Sequence, residues 1–569
     1  MPVASPSPAA PNSPVSAVSA DTVSAHVAAT LARHVGQVFG VMGNGNAYFL
    51  DALEHMTDVG YTAVRHEAGA VVAADAFFRA GGGLAVATAT YGAGFTNTLT
   101  ALAEAVQARI PLILLVGDEP TSGRRPWGVD QIALASAVGA RTYTVGRTDA
   151  AATAAIAVEH ALVGRVPTVL AIPYDVAALN AGPVREAAPP RLPEPVTPRG
   201  EFAAQAIRDA AVALAGARRP FLLAGRGAFL AGAGAALGEL ADATGAVTAS
   251  TALGRGIFPR PDFDLGVVGG FGAEGAMELV READVAVVFG ASLNQFTMRF
   301  GALFAPGTRV IQVDLAPTAT HPNVGSYIRA DATIAARAIG DELRAIDAAP
   351  SGWRESVDIP ALRAYDAGDA IAPDGLLDPR SAAARIGELL PENRVVVSDG
   401  GHFIGWANMY WPVSAPDRMM MIGTAFQSIG LGIASVPGAA RARPDATIVL
   451  TTGDGGGLMA LADLESAVRV AGGRGLALVW NDAAYGAEVN LYGLKGLAEA
   501  PMLIPQVDFA AVARGFGAEG VVVRSLPELD RLAEWAAAPA SDRPFLLLDL
   551  RISGRIIAPY QQEIIRVNS

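Results

Sequence analysis

The sequence contains no cysteine and a single lysine, Lys495. The first absence excludes disulfides, thiolate nucleophiles, zinc ribbons and iron–sulfur clusters, and removes any argument for an oxidising compartment. The second leaves a Schiff-base mechanism only one residue to use. Charge is also scarce: charged residues make up 17% of the chain, against roughly 25% in ordinary soluble proteins. Lys and Arg number 42 against 55 Asp and Glu, a net charge of −13, with no basic stripe or polybasic cluster. That balance disfavours nucleic acid and anionic membrane as partners. No apolar run reaches the roughly 18 residues of a membrane-spanning helix; stretches such as IPLILLVGDEP (110–120) are short and end in charge. Residues 1–20, built of Pro, Ser and Ala without a charge, lack the basic start and apolar core of a signal peptide and read as a flexible tail. The expectation is an acidic, cytoplasmic, globular chain.

What is present is apolar material in a regular rhythm. The 569 residues are 51% apolar, enough for three or four domains of about 150 residues. Asp21 can cap a helix running to about Arg33, and the strand VFGVMG (38–43) follows. Further apolar strands are expected at 83–90, 111–118 and 167–173, separated by helical segments. A Pro-rich stretch at 181–200 reads as a linker. A second unit opens with a helix over 201–217 and carries strands at 219–225, 284–290 and 308–315. A third has strands at 393–400, 446–455, 475–482 and 543–550. Strands alternating with helices mean crossovers and parallel sheets. The expected fold is α/β, three doubly wound parallel-sheet domains at 21–185, 198–348 and 375–555, after the tail at 1–20.

The most informative segment is 447–486. A strand ends in Gly453-Asp454-Gly455, an amphipathic helix follows, and the next strand ends in Asn481-Asp482 before Ala483-Ala484-Tyr485. In a parallel sheet both carboxylates emerge at strand carboxyl ends, where ligands bind. Glycines such as Gly453 and Gly455 let backbone approach a phosphate, and two carboxylates plus a loop carbonyl are hard ligands suited to Mg²⁺ on a diphosphate. Asp-Gly alone is a common turn; the second strand-end carboxylate is what raises it to a site.

With these residues in view, the chain from 21 to 555 resembles the thiamine-diphosphate-dependent enzymes of the acetolactate synthase and 2-oxo-acid decarboxylase family. Their signature is GDG followed, at the end of the next strand, by an Asn pair. The resemblance implies that Asp454, Asp482 and the carbonyl of Ala484 hold Mg²⁺, with Asp482 standing where Asn is usual. AVRHEAGAVVAADAFFRAGG (63–82) is similar to the family's RHE-x-GA segment, which makes Glu67 the acid that protonates the cofactor's aminopyrimidine. Its apolar followers, 68–72, suggest a buried carboxyl rather than a surface one. In GTAFQSIGLGIA (423–434), Ile429 matches the wedge that bends the cofactor and the Gln427 carbonyl its amino-group acceptor, although an Ile among small residues is also ordinary core. SDGGHFIGW (398–406) offers Gly401 and His402 on the diphosphate side, while a lone His is as often structural. TYGAGFTN (90–97) and GVDQIA (128–133) match the remaining loops, placing Gln131 near the reacting carbon.

Departures from the family shape the functional expectation. Acetolactate synthases carry a GARFDDR-like segment whose arginine grips the second 2-oxo acid; Phe296 stands there, and a phenyl ring cannot clamp a carboxylate. No His-His pair exists, and Asn44 and Asn46 cannot shuttle protons, so acid–base work beyond Glu67 would fall on His66, His402 or the cofactor's own amino group. Gly225-Arg226-Gly227 could approach a diphosphate, but Leu230 replaces the third glycine of a dinucleotide fingerprint; an ordinary turn explains it as well, and FAD stays an open option. The resemblance therefore implies a C–C lyase or ligase acting on a 2-oxo acid or related carbonyl donor through an enamine that is protonated or added to a second carbonyl. A plain decarboxylase, a family member without turnover and a dinucleotide oxidoreductase are the alternatives. It also implies a homodimer or homotetramer with active sites at the subunit interface.

Overall fold

The computed structural model describes residues 21–123, 128–184 and 186–568; the tail expected at 1–20 lies outside the described residues. Three six-stranded sheets follow one another along the chain, and every strand pair in them is parallel. The first contains β1 (Gln37–Gly40), β2 (Tyr61–Ala63), β3 (Ala85–Ala89), β4 (Ile113–Asp118), β5 (Arg141–Thr144) and β6 (Thr168–Pro173), in the order β2-β1-β3-β4-β6-β5. The second has β7 (Pro220–Ala224), β8 (Val247–Ser250), β9 (Asp264–Val267), β10 (Val285–Phe289), β11 (Arg309–Asp314) and β12 (Val324–Arg329), ordered β12-β11-β10-β7-β8-β9. The third has β13 (Arg394–Ser398), β14 (Met419–Met421), β15 (Thr447–Gly453), β16 (Gly475–Asn481), β17 (Glu519–Val523) and β18 (Leu546–Arg551), ordered β14-β13-β15-β16-β18-β17. The first and third sheets share one strand order; the middle one has the order of dinucleotide-binding folds.

Burial explains why the central strands form where they do. β15 and β16 are buried at every residue, as expected when helices cover both faces of a parallel sheet. The sequence rhythm locates these strands to within a few residues. It misses seven strands: β2, β5, β12 and β17 are short or half-exposed and carry little apolar signal, while β8, β9 and β14 are largely buried but only three or four residues long, too short to stand out as apolar runs. One expectation is corrected at the start: Thr22, not Asp21, caps the first helix, Val23–Leu31, its hydroxyl accepting from the Ala25 N–H at 3.1 Å. Asp21 lies one residue too early. No helix among the described residues is long and apolar enough to cross a membrane.

The described residues divide into two compact units, one carrying the first sheet and the other carrying the second and third. Within the larger unit, Arg255 is a half-buried tie. Its guanidinium donates to the Asn408 carbonyl at 2.6 Å and the Trp411 carbonyl at 2.7 Å, joining the segment after β8 to the helix Ile404–Tyr410. Arg255→Leu should strand both carbonyls and cost about 2–4 kcal/mol. Urea unfolding followed by the buried Trp406, Trp411, Trp480 and Trp535 should show a lowered midpoint; an unchanged one would remove the tie.

Candidate active site

The third sheet reverses its strand order between β13 and β15, and ligands bind in open α/β sheets at the carboxyl edge of such a switch point. Asp399 follows β13 there and is fully buried. One oxygen accepts from the Gly400 N–H at 2.8 Å and the Gly430 N–H at 3.0 Å; the other accepts from the Thr452 hydroxyl at 3.2 Å. Burial still pushes its carboxyl up to about 6. This aspartate ties together three loops that sequence alone leaves separate. Its only signal was another Asp-Gly turn after a strand.

Asp454 begins the helix Asp454–Met459 directly after β15. Its Oδ1 accepts from the Gly455 N–H at 3.0 Å, while Oδ2 is buried without a hydrogen-bond partner. Asp482 lies one residue beyond β16. Burial raises Asp454 to about 6 and Asp482 to about 7, the latter raised also by the charge of Asp454. A buried and a half-buried carboxylate that repel each other, one with an oxygen unpartnered among the described residues, fit a hard divalent cation. Among the described residues no third acid or histidine converges on them, so any further protein ligand is a neutral oxygen, backbone or side chain. The chain after Asp482 is fixed accordingly. Ala483 sits at φ 57, a strained setting for a residue with a side chain, and its carbonyl accepts from the Ile504 N–H at 2.8 Å. Ala484 bridges to Leu503.

The glycines of the region are explained mostly by packing. A Cβ on Gly455 would lie 2.6 Å from the Tyr485 ring, and one on Gly456 2.6 Å from Asp399 Oδ2. Gly401 and Gly453 both press on the Phe403 ring, where a Cβ would come within 2.9 Å. Gln427 holds φ 61 with its side-chain amide on the Thr424 carbonyl at 2.8 Å, a strained turn that aims the adjoining backbone. Ile429 is half-buried, its Cγ2 3.3 Å from the Cβ position of Gly400. In the middle sheet, Cβ atoms on Gly225 and Gly227 would lie 2.8 Å from Ala291 Cβ and Gly290 Cα. Backbone packing therefore accounts for that Gly-Arg-Gly turn.

His402 is buried, and its Nε2 accepts from the Ala558 N–H at 3.0 Å. Burial pushes the ring down to about 4, so it stays neutral near pH 7 and is a support rather than a proton carrier. The other expected residues lie in the smaller unit. Glu67 opens the helix Glu67–Arg79 and is half-buried, not buried as its apolar followers suggested. Those followers turn inward along the helix while its first residue stays at the open end. Its Oε2 accepts from Asn97 Nδ2 at 3.0 Å. His66 is exposed, its Nδ1 accepting from the Ala68 N–H at 3.2 Å as a helix-start contact. Gln131 is buried with its amide fully engaged: Oε1 accepts from the Gly92 N–H at 2.7 Å and Nε2 donates to the Gly117 carbonyl at 3.0 Å. It braces the 90–97 loop. Asn97 went unrecognised within that loop although the loop itself was noted.

Three family models match this chain in succession. Thiamine pyrophosphate enzyme, N-terminal TPP binding domain, covers residues 21–137; the central domain covers 207–339; the C-terminal TPP binding domain covers 399–548. The chain belongs to the thiamine-diphosphate-dependent enzymes. It is 28% identical to a probable acetolactate synthase large subunit of Methanocaldococcus jannaschii over 91% of this chain and 89% of that one. It is 26% identical to the acetolactate synthase isozyme 3 large subunit of Escherichia coli over 91% and 92% of the two chains. A sulfoacetaldehyde acetyltransferase of Castellaniella defragrans is 26% identical over 95% and 94%. The C-terminal match of this thiamine-diphosphate enzyme begins at Asp399 and contains both strand-end carboxylates.

The lowered pKa of His402 makes a signed expectation. Because folding favours the neutral ring, its contribution is complete above the ordinary value of 6.5 and fades as pH falls toward 4, an effect of about 3 kcal/mol. His402→Gln should therefore narrow the loss of urea stability between about pH 7.5 and about pH 4.5. An identical loss in protein and variant would contradict the assignment.

Proposed function

We propose that this chain is a Mg²⁺-dependent C–C lyase and ligase of the acetolactate synthase type, taking a 2-oxo acid or related carbonyl donor. The observation that carries the reading is the Asp454–Asp482 pair with its unpartnered buried oxygen. Asp454, Asp482 and the Ala484 carbonyl would hold Mg²⁺ against a diphosphate, with Gly453 and Gly455 giving the backbone close approach. Gln427 and Ile429 would seat the pyrimidine ring, and Gly401 and His402 would wall the diphosphate side. Thiamine diphosphate, when bound, supplies a carbon nucleophile that breaks and makes bonds next to a carbonyl. Glu67 would meet the pyrimidine through its Oε1, because Asn97 already donates to Oε2. Gln131 acts by holding Gly92 and Gly117, not by touching the reacting atoms.

The acceptor side favours an apolar partner. Phe296 packs edge-on against Phe271 at 4.8 Å and Tyr560 at 6.1 Å between ring centres, where acetolactate synthases would place an arginine. An aldehyde suits that wall better than a second 2-oxo acid, since no cation stands at 296 to meet its carboxylate. Simple protonation to a free aldehyde is the second reading supported by the same cluster. A homodimer or homotetramer fits the apolar rim of the site: Phe426, Met459 and Leu503 are each about half-exposed, at 47%, 58% and 54%.

Products should be read by NMR after incubating the protein, thiamine diphosphate and Mg²⁺ with 2-oxo acids, with and without aldehydes, and with sulfoacetaldehyde. An acyloin supports ligation, a free aldehyde alone supports decarboxylation, and no turnover on any donor overturns the proposal. Glu67→Gln should lower turnover by about 10²–10⁴-fold while thiamine diphosphate affinity stays within a few-fold; lost binding would make the glutamate structural. Light scattering should give a dimer or tetramer, and an active monomer would refute the assembly.

A further inference from the structure

A cavity of about 370 Å³ lies away from the carboxylate pair, within the larger unit. Its walls come from three places: the segment after the middle sheet (Tyr365, Asp366 and Arg380), the end of the Ile404–Tyr410 helix, and the C-terminal segment 555–562. None of Asp454, Asp482, Gln427 or Ile429 lines it. The polar wall is almost entirely committed. Tyr410 donates to the Asp366 carbonyl at 2.5 Å and Tyr365 to the Phe271 carbonyl at 2.6 Å. Arg380 is held by Asp366 and by Asp378, the latter through Nη2 at 2.6 Å. Arg555 is the charged exception, and Gln562 beside it makes only one long bond, Nε2 to the Ile557 carbonyl at 3.4 Å. The Arg555 backbone N–H reaches the Ser553 hydroxyl at 3.2 Å, but among the described residues its guanidinium has no hydrogen-bond or ion-pair partner. The remaining wall is apolar, with Met409, Ile556 and Ile557 alongside the tyrosine rings.

Charge decides the ligand class. Arg380 is answered by Asp366 in the wall and by Asp378 behind it, which leaves Arg555 as the lining cation unanswered among the described residues. A dianion would meet Asp366 with only one free cation to offset it, whereas a monocarboxylate matches the planar fork of Arg555. The volume lies within the range of small-molecule sites, and the apolar walls suit a ring or branched body. The C-terminal segment also faces the candidate active site. Ala558 donates to His402 Nε2 at 3.0 Å, and Tyr560 donates to the Gly401 and His402 carbonyls at 3.0 and 2.9 Å. From this geometry we infer that the cavity is a second binding site, taking a small monocarboxylate with an apolar body, on the opposite side of the segment that braces His402. The inference does not depend on which reaction the enzyme performs.

Phenylacetate is the probe, titrated calorimetrically into the holoprotein loaded with thiamine diphosphate and Mg²⁺. Saturable one-site binding is expected. Arg555→Ala should weaken it about tenfold or more, Arg555→Lys less, as for loss of a charge-assisted pair. Arg555 is exposed and holds no other side chain, so the variant should fold, which circular dichroism verifies. Phenyl phosphate and benzyl alcohol, a dianion and a neutral analogue, should each bind about tenfold more weakly or worse. Absence of saturable binding, binding indifferent to Arg555, or preference for phenyl phosphate would each overturn the site.

Discussion

Two carboxylates, Asp454 buried and Asp482 half-buried, at the ends of adjacent parallel strands are the constraint around which the carboxyl edge of the third sheet is arranged. Each is raised by burial, Asp482 further by its neighbour, and one oxygen of Asp454 has no hydrogen-bond partner among the described residues. Isolated, such a pair costs free energy; with a divalent cation it becomes a site. Much of the surrounding backbone serves to hold it. Asp399 locks the loops at 400 and 430 to Thr452, two residues before Asp454. Tyr485 closes on Gly455, and the left-handed Ala483 turns the chain so that residue 484 pairs with 503.

The smaller unit applies the same topology to a different task. Its sheet has the strand order of the third, and its corresponding switch lies between β1 and β3. There the loops carry amides and hydroxyls instead of carboxylates. Asn46 donates to the Val41 carbonyl and Thr88 hydroxyl at 3.0 Å each, and Gln131 holds the backbone at 92 and 117. Glu67, at the start of its helix in this unit, is oriented by Asn97. One fold thus carries a pair of strand-end carboxylates at one edge and a network of amides and hydroxyls at the other, distinguished by which residues end the strands.

The fold was legible because central parallel strands are continuous apolar runs, which is what β4, β15 and β16 are. Edge strands were not legible, since half-exposed segments such as Arg141–Thr144 carry mixed side chains. The strand-end acids could be read because two of them recur at matching positions. Asp399 could not, because a single Asp-Gly after a strand looks like any turn until the folded chain shows the loops it joins. Burial was the least legible property. Glu67 looked buried from its neighbours and is only half so, because a helix's first residue does not share the environment of its later turns. His402 and Gln131 are buried braces, a role that residue type alone does not reveal.

The most direct measurement is an equilibrium titration of thiamine diphosphate, with and without Mg²⁺, into the protein and its Asp454→Ala variant. Saturation that requires Mg²⁺ and disappears in the variant is the expected result. Binding that ignores the metal, or that survives loss of Asp454 unchanged, would contradict the carboxylate pair as the centre of the site.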